Sequence, residues 1–289
     1  QTAKLESKLL FDIPWLRTIR ETSTRTLLLE SLRRIHQLGW IDSKRLTETG
    51  ELTHCNAPNC GGYTLEAELG VRPNGLSQPD YLGWEIKQHA VVDFRRPSGV
   101  ITLMTPEPDG GYYRASGVEA FIRKYGYPDQ KGRGDRLNFG GVHRVGSIAK
   151  RTELAMEVRG FDHARNKITD ATGGVALVGA AGDIAAEWSF VKLLDIWRRK
   201  HALAAYVLSR RRDEPRRQYT YGGRVWLGEG TDFTKLLQAL VSGVVYYDPG
   251  IKLENETGDD STTKRRSQFR IRHDGLANLY DSFTEEALT

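Results

Sequence analysis

The stretch GGYTLEAELGVRPNGLSQPDYLGWEIKQH, residues 61–89, decides how this chain folds. Pro79 puts a turn before Asp80, and apolar and charged residues alternate after it. Side chains along a strand point to opposite faces in turn. Glu85 and Lys87 therefore leave one face, while Trp84 and Ile86 leave the other and can pack on a core. A strand is expected over residues 81–92. TLEAELG predicts a short helix over Leu65–Leu69 that carries Glu66 and ends at Gly70. A second strand, with Ile101 and Leu103, is expected over residues 100–105.

The stretch thus offers a carboxylate at a strand entrance, a carboxylate and an amine side by side on the strand, and one more acid on the helix before it. Phosphodiester hydrolysis uses such a set. A hard divalent cation takes carboxylate oxygens and keeps several waters, which describes Mg²⁺, with Mn²⁺ able to substitute. Such an ion polarises the phosphate and acidifies a bound water. Asp80 and Glu85 are the expected metal ligands and Glu66 an outer or second one. Lys87 is expected to position the attacking water and to offset charge on the phosphate. Pro-Asp followed by Glu-x-Lys is common by chance, and a surface turn with a solvated Glu–Lys pair would read the same. The apolar alternation of Trp84 and Ile86, the helix before and the strand after favour the chemical reading.

Working outward, the chain reads as mixed α/β. Residues 3–40 carry apolar residues at helical spacing, with Leu27, Leu28, Leu29, Leu32 and Ile35 on one broad face, Arg33 and Arg34 outside it, and Gly39 as the stop. Residues 42–62 read as a loop or short hairpin. Helices are expected over Val118–Tyr125, Ile184–Lys200 and Phe233–Leu240. Strands are expected over Val175–Val178, Leu203–Leu208, Tyr219–Leu227 (interrupted at Gly222 and Gly223), Val244–Leu253 (broken at Pro249) and Phe269–Arg272, with a mobile loop over residues 254–266.

The 289 residues suit one large domain or two closely joined ones. With 39% hydrophobic and 27% charged residues the balance is that of a globular protein, and no stretch approaches the length of a membrane span. No basic-then-apolar leader is visible, and the chain opens on Gln1, not Met, as a processed chain or a piece of a longer one would. A net charge of +5 and a pI near 9.1 favour a polyanionic partner, though charge alone fits an ordinary basic protein equally well. Two cysteines argue against a disulfide-built scaffold and suit a reducing cytoplasm.

The motifs GG-x-TLE-x-x-LG at Gly61–Gly70, a spacer with Asn74, PD-x-x-G-x-E-x-K at Pro79–Lys87, and an ITL strand leading to Glu-Pro at Ile101–Pro108 resemble the MvaI/BcnI restriction endonucleases, relatives of the MutH mismatch-repair nickase. LLQALVSGVVYYDPGI, residues 236–251, is similar to that family's C-terminal half. The resemblance covers residues 60–110 well and 230–280 loosely. It implies a restriction-endonuclease-like core, with a central mixed sheet flanked by helices, and a second DNA-clamping lobe, so that duplex DNA sits between the two. On that basis residues 1–125 are expected to form the catalytic lobe and residues 126–289 the second lobe with the recognition region. The resemblance also implies Mg²⁺ dependence, sequential nicking by a monomer, double-stranded DNA as partner, and a cognate methyltransferase in the same system. Glu66, Asp80, Glu85 and Lys87 fall on the family's acidic and lysine positions.

Other candidates are weaker. His89, on the Lys87 face, could touch a substrate phosphate. His54, Cys55 and Cys60 in HCNAPNC lack a fourth zinc ligand, and neither a metal site nor a disulfide is expected of them. Basic runs at residues 198–200, 209–217 and 264–273 are solvated faces by default. The last differs, because Arg270 and Arg272 alternate with Phe269 and Ile271, so both guanidiniums leave one strand face. Arg266 and His273 flank them as further DNA contacts. Tyr246, Tyr247 and Asp248 read as packing and turn residues. The Gly-rich segments near residues 173 and 179 lack a phosphate-loop spacing. The rival readings are a MutH-like nickase, a defence nuclease sensing modified or damaged DNA, a catalytically silent DNA-binding module, and an RNA- or protein-binding chain with an incidental motif.

Overall fold

The Glu85 strand finds its neighbour far along the chain. In a computed structural model that describes residues 14–72, 79–258 and 260–289, with side chains from residue 24, this strand is Glu85–Ala90. It pairs in parallel with Leu203–Arg212, from Glu85 beside Ala204 to Ala90 beside Ser209. A parallel pair needs a crossover, and here it takes more than a hundred residues. Gln218–Glu229, Ile41–Asp42 and Ser282–Ala287 complete a five-stranded sheet in which Glu85–Ala90 is an edge. Asn74 of the spacer lies outside the described residues.

The chain forms two compact units. One gathers Gln1–Pro97, Leu203–Leu227 and Thr284–Thr289; the other gathers Ser98–Ala202 and Gly228–Phe283. In the first unit, helix α1 (Pro14–Gln37) turns Leu28, Leu32 and Ile35 into the core, and Gly39, at φ +67°, ends it. Leu27 is 46% exposed, so the buried stripe is narrower than the three-leucine run implies. Helix α2 (Cys60–Glu68) begins five residues before the expected Leu65, and Cys60 and Leu65 join the same core. Trp84 and Ile86 pack there too, as their alternation with the charges predicts. Lys44–Leu46 and Leu52–His54 form the short hairpin expected before α2.

Cys55 and Cys60 are joined in a disulfide, with Cα atoms 5.7 Å apart. This bond is not expected from the sequence. The turn at residues 57–60, closed by Cys60 N–H donating to Ala57 O, folds the chain back and brings the two together. Gln218–Glu229 runs unbroken through Gly222 and Gly223, where an interruption was expected. Both glycines serve close approach: a Cβ on Gly222 would lie 3.0 Å from the Phe94 ring, and one on Gly223 would lie 3.1 Å from the His36 ring.

The second unit holds helices α3 (Gly111–Tyr125), α4 (Phe190–Lys200) and α5 (Phe233–Val241). Residues 184–189, expected as helix, are a strand paired with Gly174–Val178, which buries Ala185, Ala186 and Trp188. Ser189 then caps α4 by accepting from Lys192 N–H, which is why the helix starts there. The expected helix at Val118–Tyr125 is the second half of α3, broken at Gly117, where φ is +84°. Phe269–Arg272 is the middle strand between Val100–Met104 and Val245–Tyr247. The loop expected over residues 254–266 contains the short strand Thr262–Lys264, paired with Gly250–Glu254. No described helix is long and apolar enough to cross a membrane.

His143 lies fully buried in this unit. It stacks on Phe139, its Nε2 is 2.8 Å from Thr152 Oγ1, and its Nδ1 is 2.9 Å from Gly141 O. Burial pushes the imidazole down to about 4. An unfolded histidine binds its proton near about 6.5. Between those values the unfolded chain holds a proton that the folded chain lacks, so stability falls as pH drops through this window. The urea midpoint is expected to decline from about pH 6.5 to about pH 4, and His143→Gln to flatten that decline. An unchanged slope in the variant would exclude His143 as its source.

Candidate active site

A tight turn sets the first acid beside the Glu85 strand. Tyr81 N–H donates to Trp84 O at 3.0 Å, and Trp84 N–H returns to Tyr81 O at 2.8 Å. Leu82 and Gly83, the two residues between, have φ of +51° and +88°. Two successive positive φ values define the hairpin turn whose twist matches its flanking strands. The strand expected over residues 81–92 is thus a hairpin turn followed by a strand proper at Glu85–Ala90. One step out from the Tyr81–Trp84 pair, the backbones of Asp80 and Glu85 face each other. Asp80 Oδ2 accepts from Ile86 N–H at 2.9 Å, satisfying an amide on the open edge of the sheet.

Glu85 is only 2% exposed. A buried carboxylate needs opposite charge or hydrogen bonds, and Lys87 Nζ lies 2.5 Å from Glu85 Oε1. The neighbouring strand sets Ala204, Tyr206 and Leu208 beside Glu85, Lys87 and His89 in register, and all three are buried. His89 extends this face as expected, but it too is buried.

Glu66 sits on α2, as the sequence indicates. Its Oε1 lies 3.8 Å from where a Cβ on Gly62 would be, and the Oε1 of Gln88 lies 3.9 Å from the same point. Gln88 leaves the strand on the side opposite Lys87. Among the described residues no three His, Cys, Asp or Glu side chains converge as a metal cluster. Two carboxylate-bearing positions facing across a turn still suit Mg²⁺, which binds through one or two carboxylates and fills its other positions with water and substrate oxygens.

The remaining expected site residues belong to the second unit. Phe269 and Ile271 are fully buried, and Arg270 and Arg272 leave the other face, as the alternation predicts. Arg270 Nη1 is 2.5 Å from Asp248 Oδ2; Arg272 is exposed, with Nε 4.0 Å from Asp274. His273, half-buried, opens a short 3₁₀ turn, its N–H donating to Gly99 O at 3.2 Å. Arg266 lies apart from this face, its Cδ 3.1 Å from where a Cβ on Gly250 would be. No periodicity or motif marks Arg144, whose guanidinium stands 4.1 Å from the ring centre of Tyr246, the residue paired with Arg270. Asp248, read as a turn residue, also turns out to be the partner of Arg270.

A family model described as the MvaI/BcnI restriction endonuclease family matches residues 29–280. Among solved structures, a complex of restriction endonuclease MvaI with its cognate DNA substrate is similar, with a TM-score of 0.66 and 18% identity over 91% of this chain and 98% of that one. MvaI in the absence of DNA gives a TM-score of 0.48 and 17% identity over 92% and 98%. At such identity the first likeness is one of fold. No curated protein matches.

The turn between Asp80 and Glu85 can be tested by two substitutions of opposite sign. No atom lies within 4 Å of a Cβ on Gly83, so Gly83→Ala meets only the backbone cost of its φ. It is expected to lose about 1 kcal/mol in urea denaturation. Leu82→Asn, which tolerates a positive φ, is expected to gain about 0.5 kcal/mol. Equal effects of the two substitutions would argue against this turn geometry.

Proposed function

This chain belongs to the MvaI/BcnI restriction endonuclease family, type II site-specific deoxyribonucleases, and on that premise we propose that it cuts duplex DNA with Mg²⁺, as a monomer, one strand at a time. The observation that carries the site assignment is the buried Glu85 carboxylate with Lys87 Nζ at 2.5 Å, on the strand that follows the Asp80 turn. In this reading Asp80 and Glu85 would hold Mg²⁺, which would supply Lewis-acid activation of the scissile phosphate and of a water.

The protein's own groups do the rest. Asp80 is anchored by Ile86 N–H, so its second oxygen keeps a fixed direction. Lys87 directs the attacking water and offsets negative charge as it builds on the phosphate. The wall of Ala204, Tyr206 and Leu208 keeps bulk water from that face, where charges act more strongly. Glu66 supports the site from α2 and His89 from the far end of the strand. MvaI has been solved with its cognate DNA, and we take duplex DNA as the substrate here. A methyltransferase of matching specificity is the partner such an enzyme requires, because host sites must be protected.

Arg270 is the first candidate for reading sequence. Its tie to Asp248 fixes the guanidinium fork before DNA arrives, which favours bidentate pairing to guanine O6 and N7. Arg272 and His273 extend the contact, and Arg266 meets the phosphate backbone.

Supercoiled plasmid of known sequence, incubated with the protein and Mg²⁺, is expected to pass through an open-circle form before becoming linear. Excess EDTA should stop it. Asp80→Ala, Glu85→Ala and Lys87→Ala should each abolish cutting while DNA affinity persists. Cutting that survives EDTA, or Lys87→Ala at the wild-type rate, would overturn the assignment; concerted double-strand breaks rising steeply with protein concentration would point to a dimer. Arg270→Ala is expected to cost about 1–3 kcal/mol in binding and to relax choice at one base pair. A uniform loss across all sequences, with a flatter salt dependence, would make it a phosphate contact instead.

A further inference from the structure

Gln88 is the residue of the Glu85 strand for which the chemistry above has no use. It follows Lys87, so its side chain leaves the other face, the one that Trp84 and Ile86 turn toward the core. A primary amide in such a place is costly unless its polar atoms are bonded. Gln88 Nε2 donates to Ser209 Oγ at 2.6 Å, and Ser209 is fully buried on the parallel neighbour. Gln88 Oε1 reaches over the first turn of α2. A Cβ on Gly61 would sit 2.9 Å from that oxygen, so a side chain there would displace the amide from its present place. Gly61 is also gripped by Tyr221, whose hydroxyl donates to Gly61 O at 2.8 Å. The point where a Cβ on Gly62 would lie is near both Gln88 Oε1 and Glu66 Oε1, so the amide and the carboxylate border one small space.

We propose that Gln88 is a positioning residue that sets the helix bearing Glu66 at a fixed distance from the strand bearing Glu85 and Lys87. The proposal rests on the endonuclease reading given above. Ser209 fixes the direction of the amide, whose oxygen abuts the first turn of α2 at Gly61, so the side chain acts as a spacer of set length and direction between the strand and the helix. An error of a few tenths of an ångström in a supporting acid is enough to slow chemistry without weakening substrate binding. Gly61 is then the clearance for the Gln88 amide, which accounts for a glycine inside the first turn of a helix.

The test compares wild type, Gln88→Met, Gly61→Ala, Glu66→Ala and the Gln88→Met/Glu66→Ala double variant. Single-turnover cutting with Mg²⁺, DNA affinity with Ca²⁺ and the thermal midpoint are measured for each. Gln88→Met keeps the length of the side chain and removes the amide. Gly61→Ala leaves every charged residue in place and displaces the amide, whose flexible end can yield, so this variant folds. Both are expected to cut about tenfold slower or worse, with affinity within about twofold of wild type. The double variant should be no more than about threefold slower than the slower single one, because both changes disable the same support. Wild-type rates in Gln88→Met and Gly61→Ala, a wild-type rate in Glu66→Ala, or losses that multiply in the double variant would each overturn the proposal. So would a rate loss that only tracks a lower thermal midpoint. If wild type itself fails to cut with Mg²⁺, the endonuclease reading falls; if wild type cuts and Gln88→Met cuts equally well, only the positioning role falls.

Discussion

Taking the carboxylate of Glu85 out of water costs several kcal/mol unless opposite charge is held against it. The local structure follows from meeting that demand. Lys87 answers it from two residues on, which requires an extended strand, because only there do residues two apart share a face. The strand in turn requires a core behind it, supplied by Trp84 and Ile86. It also sits at the edge of its sheet, so one side is free for Asp80 to cap the Ile86 amide. A strand in the middle of the sheet would have spent that amide on a ladder bond and left Asp80 without its anchor.

The second unit meets a related demand by another route. Arg270 and Arg272 stand on one face with Arg144 close by over Tyr246, and the four side chains include three cations. Asp248 balances one of them and orients it. The bond to Asp248 restricts the long arginine side chain in the folded chain and gives its fork one direction. Lysine would serve poorly there, since it lacks a planar fork to lock.

Much of this was legible because local rules suffice for it. The alternation around Glu85 and Lys87, the stop at Gly39, the buried pair in Phe269–Arg272 and the acid on the helix before Asp80 all depend on near neighbours. Misreadings came where distant contacts overrule local preference. Residues 184–189 have helix-like composition, yet pairing with Gly174–Val178 makes them a strand. Gly222 and Gly223 read as breaks, although they are clearances for the rings of Phe94 and His36. Arg144 lies in a segment without periodicity, so only the folded chain brings it to Tyr246. The Cys55–Cys60 bond is not expected from the sequence, and the turn between the two residues brings them together.

The parallel pairing of Glu85–Ala90 with Leu203–Arg212 also has a meaning in time. A ribosome adds about 5–20 residues each second, so the Glu85 strand emerges many seconds before its parallel neighbour has been made. Until then nothing walls the Lys87 face and no buried serine receives the Gln88 amide. A growing chain therefore carries all four acidic and lysine residues of the motif without the sheet that organises them. The fold thus ties the assembly of this face to the later part of synthesis, whatever the motif residues themselves could do alone.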